Sequence, residues 1–303
     1  MKKLIFAFGI AIACGIASGQ TSVWQPSLGH VQVRIWPGRV PDALPVLGEE
    51  SVTKGAGKSY LSVANVSQPT MTVYSPAGRN TGAAVVVFPG GGYQILAIDL
   101  EGTEICDWLV SKGITAVLLK YRVPLKRGEL YSEPSPQALE DAQRTLGLVR
   151  LHAAEWKIDP HKIGVIGFSA GGHMVAAVST HFEKRLYRAV DAADEQSCRP
   201  DFAIACYPGH LWSEDEGMKL NPNVPVSGKT PPTFLVQAEN DPVDNVNHSL
   251  VYYMALKKAG VPVEMHLYAE GGHGFGLRAT TMPIGEWPEL VERWLGTIGV
   301  ISK

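Results

Sequence analysis

The segment Gly167-Phe168-Ser169-Ala170-Gly171 constrains this chain more than any other, because a strand-forming run, Lys162 to Phe168, leads into it and a helix-forming run leads out. A serine held on a strained turn between strand and helix leaves no room for a Cβ two positions to either side. Glycine at 167 and 171 removes that collision. G-x-S-x-G on its own arises by chance in a chain with 32 glycines. The strand before it and the helix after it make Ser169 the candidate nucleophile.

The rest of the pattern supplies a frame for such a turn. From Ala83 onward, short apolar runs alternate with helical periodicity, the mark of a mostly parallel central sheet with helices on both faces. The runs are Ala83–Phe88, Thr115–Leu119, Lys162–Phe168, Phe202–Tyr207, Thr233–Gln237 and Val263–Tyr268, each uninterrupted enough to be covered on both faces. Helices are expected over Glu101 to Lys112, after Ser135-Pro136 through Leu139, Ala142, Leu146 and Val149, over Ser249 to Ala259, and over Glu289 to Ile298. Residues 22–81, rich in Pro, Gly and Val, read as edge strands and loops of an antiparallel lead-in. No repeat, low-complexity tract or linker interrupts the pattern, so residues 20–303 are expected to form one domain.

A chain of 303 residues, 45% apolar with net charge −2, buries a large core and carries no basic footprint for nucleic acid. A neutral or small substrate fits better. Lys2 and Lys3, the apolar run Leu4 to Ile16, and Ala17-Ser18-Gly19 read as a signal peptide over residues 1–19, with export to the periplasm or the outside. That run is shorter than the roughly 20 residues that span a bilayer. The alternative is a lipid anchor at Cys14, in a weak match to a lipobox. Cys106, Cys198 and Cys206 remain. Cys198 and Cys206 are near enough in sequence to pair, but buried thiols are the favoured reading. Neither cysteine spacing nor a His-Glu-x-x-His pair points to a metal, and no cofactor is expected.

A serine hydroxyl needs a base to take its proton, an acid to orient that base and donors for the developing anion. The base candidate is His273, in the flexible Gly271-Gly272-His273-Gly274-Phe275 loop just after a strand, where open α/β sheets place their sites. His173 competes but lies one helical turn behind Ser169. His161, His181, His210, His248 and His266 read as surface or core residues. Asp241 is the expected acid, with Asp244 and Glu239 near enough to be confused with it, and the alternative for Asp241 is that it only structures its turn. Oxyanion donors are expected from Ala170 N–H and from Gly91 or Gly92 in Pro89-Gly90-Gly91-Gly92-Tyr93. A phosphate cradle would need a Lys-Ser/Thr ending or a dinucleotide spacing, and both are missing.

With these residues assembled, the chain resembles the α/β-hydrolase superfamily and, within it, bacterial esterases of the acetyl xylan esterase and feruloyl-esterase-like group. The resemblance runs from Trp36 to Trp294 and rests on VVVFPGGGY, DAQRTLGLVRLHAAEWKIDP, KIGVIGFSAGGH, ENDPVDNVNHSLVYY and GGHGFGL in that order. It implies an α/β-hydrolase fold without a large cap, Ser169 as nucleophile, Asp241 as acid, His273 as base, and Gly91, Gly92 and Ala170 as oxyanion donors. Pro89 stands where lipase-like relatives carry the histidine of HGGG. The expected activity is two-step acyl transfer on an acetylated, xylan-like polysaccharide or a small ester, with Tyr93, Trp212 and Phe275 as candidate pocket residues. The 209–231 insert is too short for a substantial lid. The alternatives are a general short-chain carboxylesterase or feruloyl esterase, a peptidase, whose propeller domain this length would not hold, and a non-catalytic binding module.

Overall fold

A computed structural model describes residues 23–43, 48–54, 59–124 and 135–302. The expected leader and Cys14 lie outside these residues. The lead-in supplies β1 (Gln32–Arg34), β2 (Ser51–Lys54), β3 (Leu61–Ala64) and β4 (Thr70–Tyr74). The alternating region follows with β5 (Ala84–Phe88), β6 (Ile95–Ala97), α1 (Glu104–Ser111), β7 (Thr115–Lys120), α2 (Pro136–Leu151), β8 (Ile163–Phe168) and α3 (Ala170–Val178). It closes with β9 (Ala203–Cys206), β10 (Thr233–Ala238), α4 (Asn247–Lys258), β11 (Val263–Tyr268) and α5 (Trp287–Thr297).

The main sheet has eight strands in the order β1-β4-β7-β5-β8-β9-β10-β11. Pairing is parallel from β7 through β11, and β4 and β1 extend the β7 edge antiparallel. This is the α/β-hydrolase fold, with no large cap among the described residues. The expected parallel strands and the antiparallel lead-in are both present. A second sheet, β2-β3-β6, was not foreseen. Its member β6 is three residues long and follows the glycine loop, too short to show any period.

Burial follows position in the sheet. β5, β7, β8, β9 and β10 are buried along their whole length, whereas β11 at the edge is half exposed and carries Glu264 and His266 hydrogen-bonded at 2.9 Å. One expected helix begins late: residues 99–103 form a π-helical turn and α1 starts at Glu104. Asp99 Oδ1 accepts from Leu61 N (2.7 Å) and Leu100 N (2.8 Å), and Glu101 turns into the core. Those two side chains hold the segment off a regular helical start. α1 and α5 meet through Trp108 and Trp287, whose ring centroids are 5.6 Å apart, while α2 packs on α3. Cys106, Cys198 and Cys206 are buried free thiols, as favoured. No helix among the described residues is long and apolar enough to cross a membrane.

The β5–β8 pair positions the site. From β5 the chain crosses to β7 on one side and returns to β8 on the other, so the loops leaving β5 and β8 diverge and open a crevice between them. Those loops carry Gly90 to Gly92 and Ser169.

A buried charge cluster ties the lead-in to this frame. Asp141 of α2 accepts from Trp36 Nε1 (2.8 Å) and from Arg122 Nε (2.9 Å), and Glu140 accepts from the same guanidinium (2.9 Å). Arg144 Nε donates to Ile35 O at 2.9 Å. Removing one member of such a cluster strands a buried charge. Asp141→Ala is therefore expected to cost about 3–5 kcal/mol of stability, read as a lower urea midpoint at unchanged slope.

Candidate active site

Ser169 sits at φ 53° and ψ −119°, a conformation costly for any residue with a Cβ. It is held there by its neighbours: Ser169 N donates to Cys206 O (3.1 Å), and Ser169 O accepts from Gly209 N (3.1 Å) and His173 N (3.0 Å). A Cβ at Gly167 would strike Gly171 O, and one at Gly171 would strike Phe88 O and Pro89 O. The two glycines thus let the end of β8, the start of α3 and the end of β5 pack backbone against backbone.

His273, in the loop after β11, has Nδ1 2.8 Å from Asp241 Oδ2. That contact assigns the proton to Nδ1 and leaves Nε2 as the acceptor. Asp241 is itself fixed, its Oδ1 accepting from Val243 N (2.8 Å) and Asp244 N (3.0 Å), and its Oδ2 from Gln237 Nε2 (3.2 Å). Ser169 Oγ, however, donates to Asp244 Oδ2 at 3.1 Å, and that oxygen lies 3.9 Å from His273 Nε2. The fold therefore brings Ser169, Asp241 and His273 together, with Asp244 Oδ2 beside both the serine hydroxyl and the imidazole. Glu239 is exposed at the end of β10.

Burial pushes the His273 imidazole down, but the Asp241 hydrogen bond and the charges of Asp241, Asp244 and Glu101 outweigh it and hold the pKa above the ordinary 6.5. Burial pushes the Asp244 carboxyl up.

The glycine loop is anchored from behind. Gly90 N donates to Glu101 Oε2 (2.8 Å), Tyr207 OH donates to Glu101 Oε1 (2.9 Å), and Tyr121 OH donates to Pro89 O (2.5 Å). The tyrosine bond fixes the carbonyl of the residue that stands in place of the HGGG histidine. Gly91 takes φ +130°, and a Cβ there would strike Ile95 O, so only glycine fits. Ala170 opens α3, where its N–H has no intrahelical acceptor.

These groups face a cavity of about 870 Å³ lined by Gly91, Gly92, Ser169, His273 and Trp212, with Ser59, Tyr60, Gln94, Glu101, Glu214 and Asp244 among the other walls. Two expected pocket residues lie off the cavity wall. Tyr93 is buried and its hydroxyl lies 2.7 Å from His173 Nδ1, while Phe275 packs on Tyr207 with ring centroids 4.4 Å apart; neither lines the cavity. The contact with Tyr93 also occupies His173, which is fully buried behind the elbow. His210 and His248, expected to be bland, do line the cavity. Burial lowers each to a pKa of about 4, and neutral His248 Nδ1 accepts from Leu211 N (3.0 Å) and Trp212 N (2.9 Å), fixing the wall that carries Trp212.

Residues 106–296, more than half of the chain, match the model of the prolyl oligopeptidase family. The chain belongs to this family. Among curated relatives of the family member described here, an acetylxylan esterase of Xylanibacter ruminicola is 29% identical over 266 residues, covering 80% of this chain and 50% of that protein. Endo-1,4-beta-xylanase B of Butyrivibrio fibrisolvens is 28% identical over 208 residues, covering 63% of this chain and 32% of that protein. The chain thus spans half or less of these two relatives. Among solved structures, an acetyl ester-xyloside bifunctional hydrolase from Caldicellulosiruptor lactoaceticus superimposes with TM-score 0.71 at 35% identity, covering 90% of this chain and 97% of that one.

In this prolyl oligopeptidase family member, Glu101 escaped sequence reasoning, and Asp244 entered it only as a residue near enough to be confused with Asp241. Glu101 carries no local signal, and Asp244 stands three residues from a stronger candidate. His273 must be neutral to take a proton from Ser169. Labelling of Ser169 by a fluorophosphonate is therefore expected to accelerate as pH rises, with an inflection above 6.5, and Asp241→Asn is expected to slow it by on the order of 10⁴-fold. Glu101→Ala, which releases the Gly90 amide, is expected to slow labelling by about 10²-fold. Rate against pH for each protein checks both.

Proposed function

We propose that the protein is an exported serine carboxylic-ester hydrolase that removes acetyl groups from xylan-like polysaccharides. One observation supports the chemistry: Ser169, Gly91, Gly92 and His273 line one cavity, with His273 Nδ1 2.8 Å from Asp241 Oδ2 and Ala170 following the serine at the start of α3. The names of the similar proteins, an acetylxylan esterase and an acetyl ester-xyloside hydrolase, support the substrate class. The reading takes residues 1–19 as the export signal and 20–303 as one catalytic domain, with a lipid anchor at Cys14 as the alternative route to the cell surface.

In this mechanism Ser169 Oγ attacks the acetyl carbonyl as its proton passes to His273 Nε2. The amides of Ala170 and of Gly91 or Gly92 bind the resulting oxyanion, each lowering the barrier by about 3 kcal/mol. The imidazolium, steadied by Asp241, then gives its proton to the leaving sugar hydroxyl as the C–O bond breaks. Water, deprotonated by His273, releases acetate from the acyl-enzyme by the same steps in reverse order. A cavity of about 870 Å³ with Trp212 on its wall accommodates a sugar ring beside the acetyl group.

Ser169→Ala is expected to lower acetate release from acetylated xylan by at least about 10⁴-fold. Wild-type protein is expected to prefer acetylated xylan to methyl ferulate and tributyrin. Strong tributyrin hydrolysis with none on xylan would instead establish a general short-chain carboxylesterase.

A further inference from the structure

Asp244 is the residue that the acyl-transfer scheme leaves unexplained. In the resting site its Oδ2 accepts from Ser169 Oγ at 3.1 Å and lies 3.9 Å from His273 Nε2, so a carboxylate oxygen competes with the base for the serine hydroxyl. Gly209 makes this approach possible, since a Cβ there would come within 2.5 Å of Asp244 Oδ1. Asp244 is 13% exposed at its side chain and lines the cavity, and its Oδ1 has no hydrogen-bond donor among the described residues. The cavity therefore presents a carboxylate acceptor on its wall, which a hydroxyl-bearing substrate complements.

Geometry narrows this to one hydroxyl. During leaving-group protonation the ester's alkoxy oxygen must sit within about 3 Å of His273 Nε2. A hydroxyl on the adjacent carbon, gauche to that oxygen, is one hydrogen-bond length away from it and reaches Asp244 Oδ2. Given the acetyl-sugar reading above, we propose that Asp244 is a specificity-determining residue that selects esters whose leaving alcohol carries a free hydroxyl on the neighbouring carbon. The incoming O–H takes the place of the Ser169 O–H on Asp244, and Ser169 turns to donate to His273 Nε2. No proton is lost or gained in this exchange; one donor replaces another on the same oxygen, and the attack then proceeds as described.

The test compares methyl 2-O-acetyl-β-xyloside, which has a free 3-hydroxyl, with its 3-O-methyl ether. Acetate release is followed for the full chain, Asp244→Asn and Asp244→Ala. Wild type is expected to favour the free hydroxyl by about 10- to 10²-fold in kcat/KM, the range of a hydrogen bond to a charged acceptor. Asp244→Asn is expected to shrink that ratio and Asp244→Ala to bring it near one. Both variants are expected to turn over p-nitrophenyl acetate faster than wild type, because it brings no neighbouring hydroxyl and the competitor for the Ser169 proton is gone. A general structural role for Asp244 would slow all three substrates alike. A wild-type ratio near one overturns the proposal whether or not the variants fold, as does a ratio that persists in Asp244→Asn and Asp244→Ala. If wild type cleaves both xylosides without discrimination, only this inference falls. If it releases acetate from neither, the acetyl-sugar reading falls and takes the inference with it.

Discussion

The site depends on a backbone contact that only glycine permits. Gly167 and Gly171 bring the carbonyls of residues 88, 89 and 171 to where side-chain atoms would otherwise be, so β5, β8 and α3 meet at their ends without intervening side chains. That closeness puts the glycine loop after β5 and the serine after β8 on one rim, and it forces Ser169 to φ 53°. The cost of that dihedral is met by the Cys206, Gly209 and His173 backbone bonds around it and by the buried β8 beneath. A Cβ at either glycine would part these elements, and the glycine loop and Ser169 would separate with them.

Charge around the serine is arranged in two layers. Asp241, held by two backbone amides and Gln237, faces the far nitrogen of His273 and sets its tautomer. Glu101, deep beneath the loop, bridges the Gly90 amide and the Tyr207 hydroxyl, and the Tyr207 ring lies 5.0 Å from the His273 ring. The same tyrosine therefore joins the glycine loop to the imidazole. Asp244 belongs to neither layer: it accepts directly from Ser169 Oγ, and in the proposed mechanism that contact gives way before attack.

What the sequence disclosed follows from how local each cause is. The turn at Ser169 was legible because the steric demand acts within five residues and leaves glycines as its trace. Asp241 and His273 were legible because each follows a buried strand at the end where open sheets gather their loops. Glu101 was not, because it contacts Tyr207, 106 positions away, and Asp244 registered only as a neighbour of Asp241, since its contact with Ser169 spans 75 positions. The strand β6 was too short for a period to register, and Tyr93 misled because an aromatic beside a glycine loop points inward here to His173 rather than out to the cavity.

The central claim, an acyl-enzyme on Ser169, is tested most directly by acid-quenching the protein during the first turnovers of p-nitrophenyl acetate and mapping the acetyl group by peptide mass spectrometry. The account predicts a burst of p-nitrophenol matched by acetyl carried on the peptide containing Ser169, and on that serine within it. Acetyl on a different side chain, or turnover with no acetylated serine at any quench time, would contradict it.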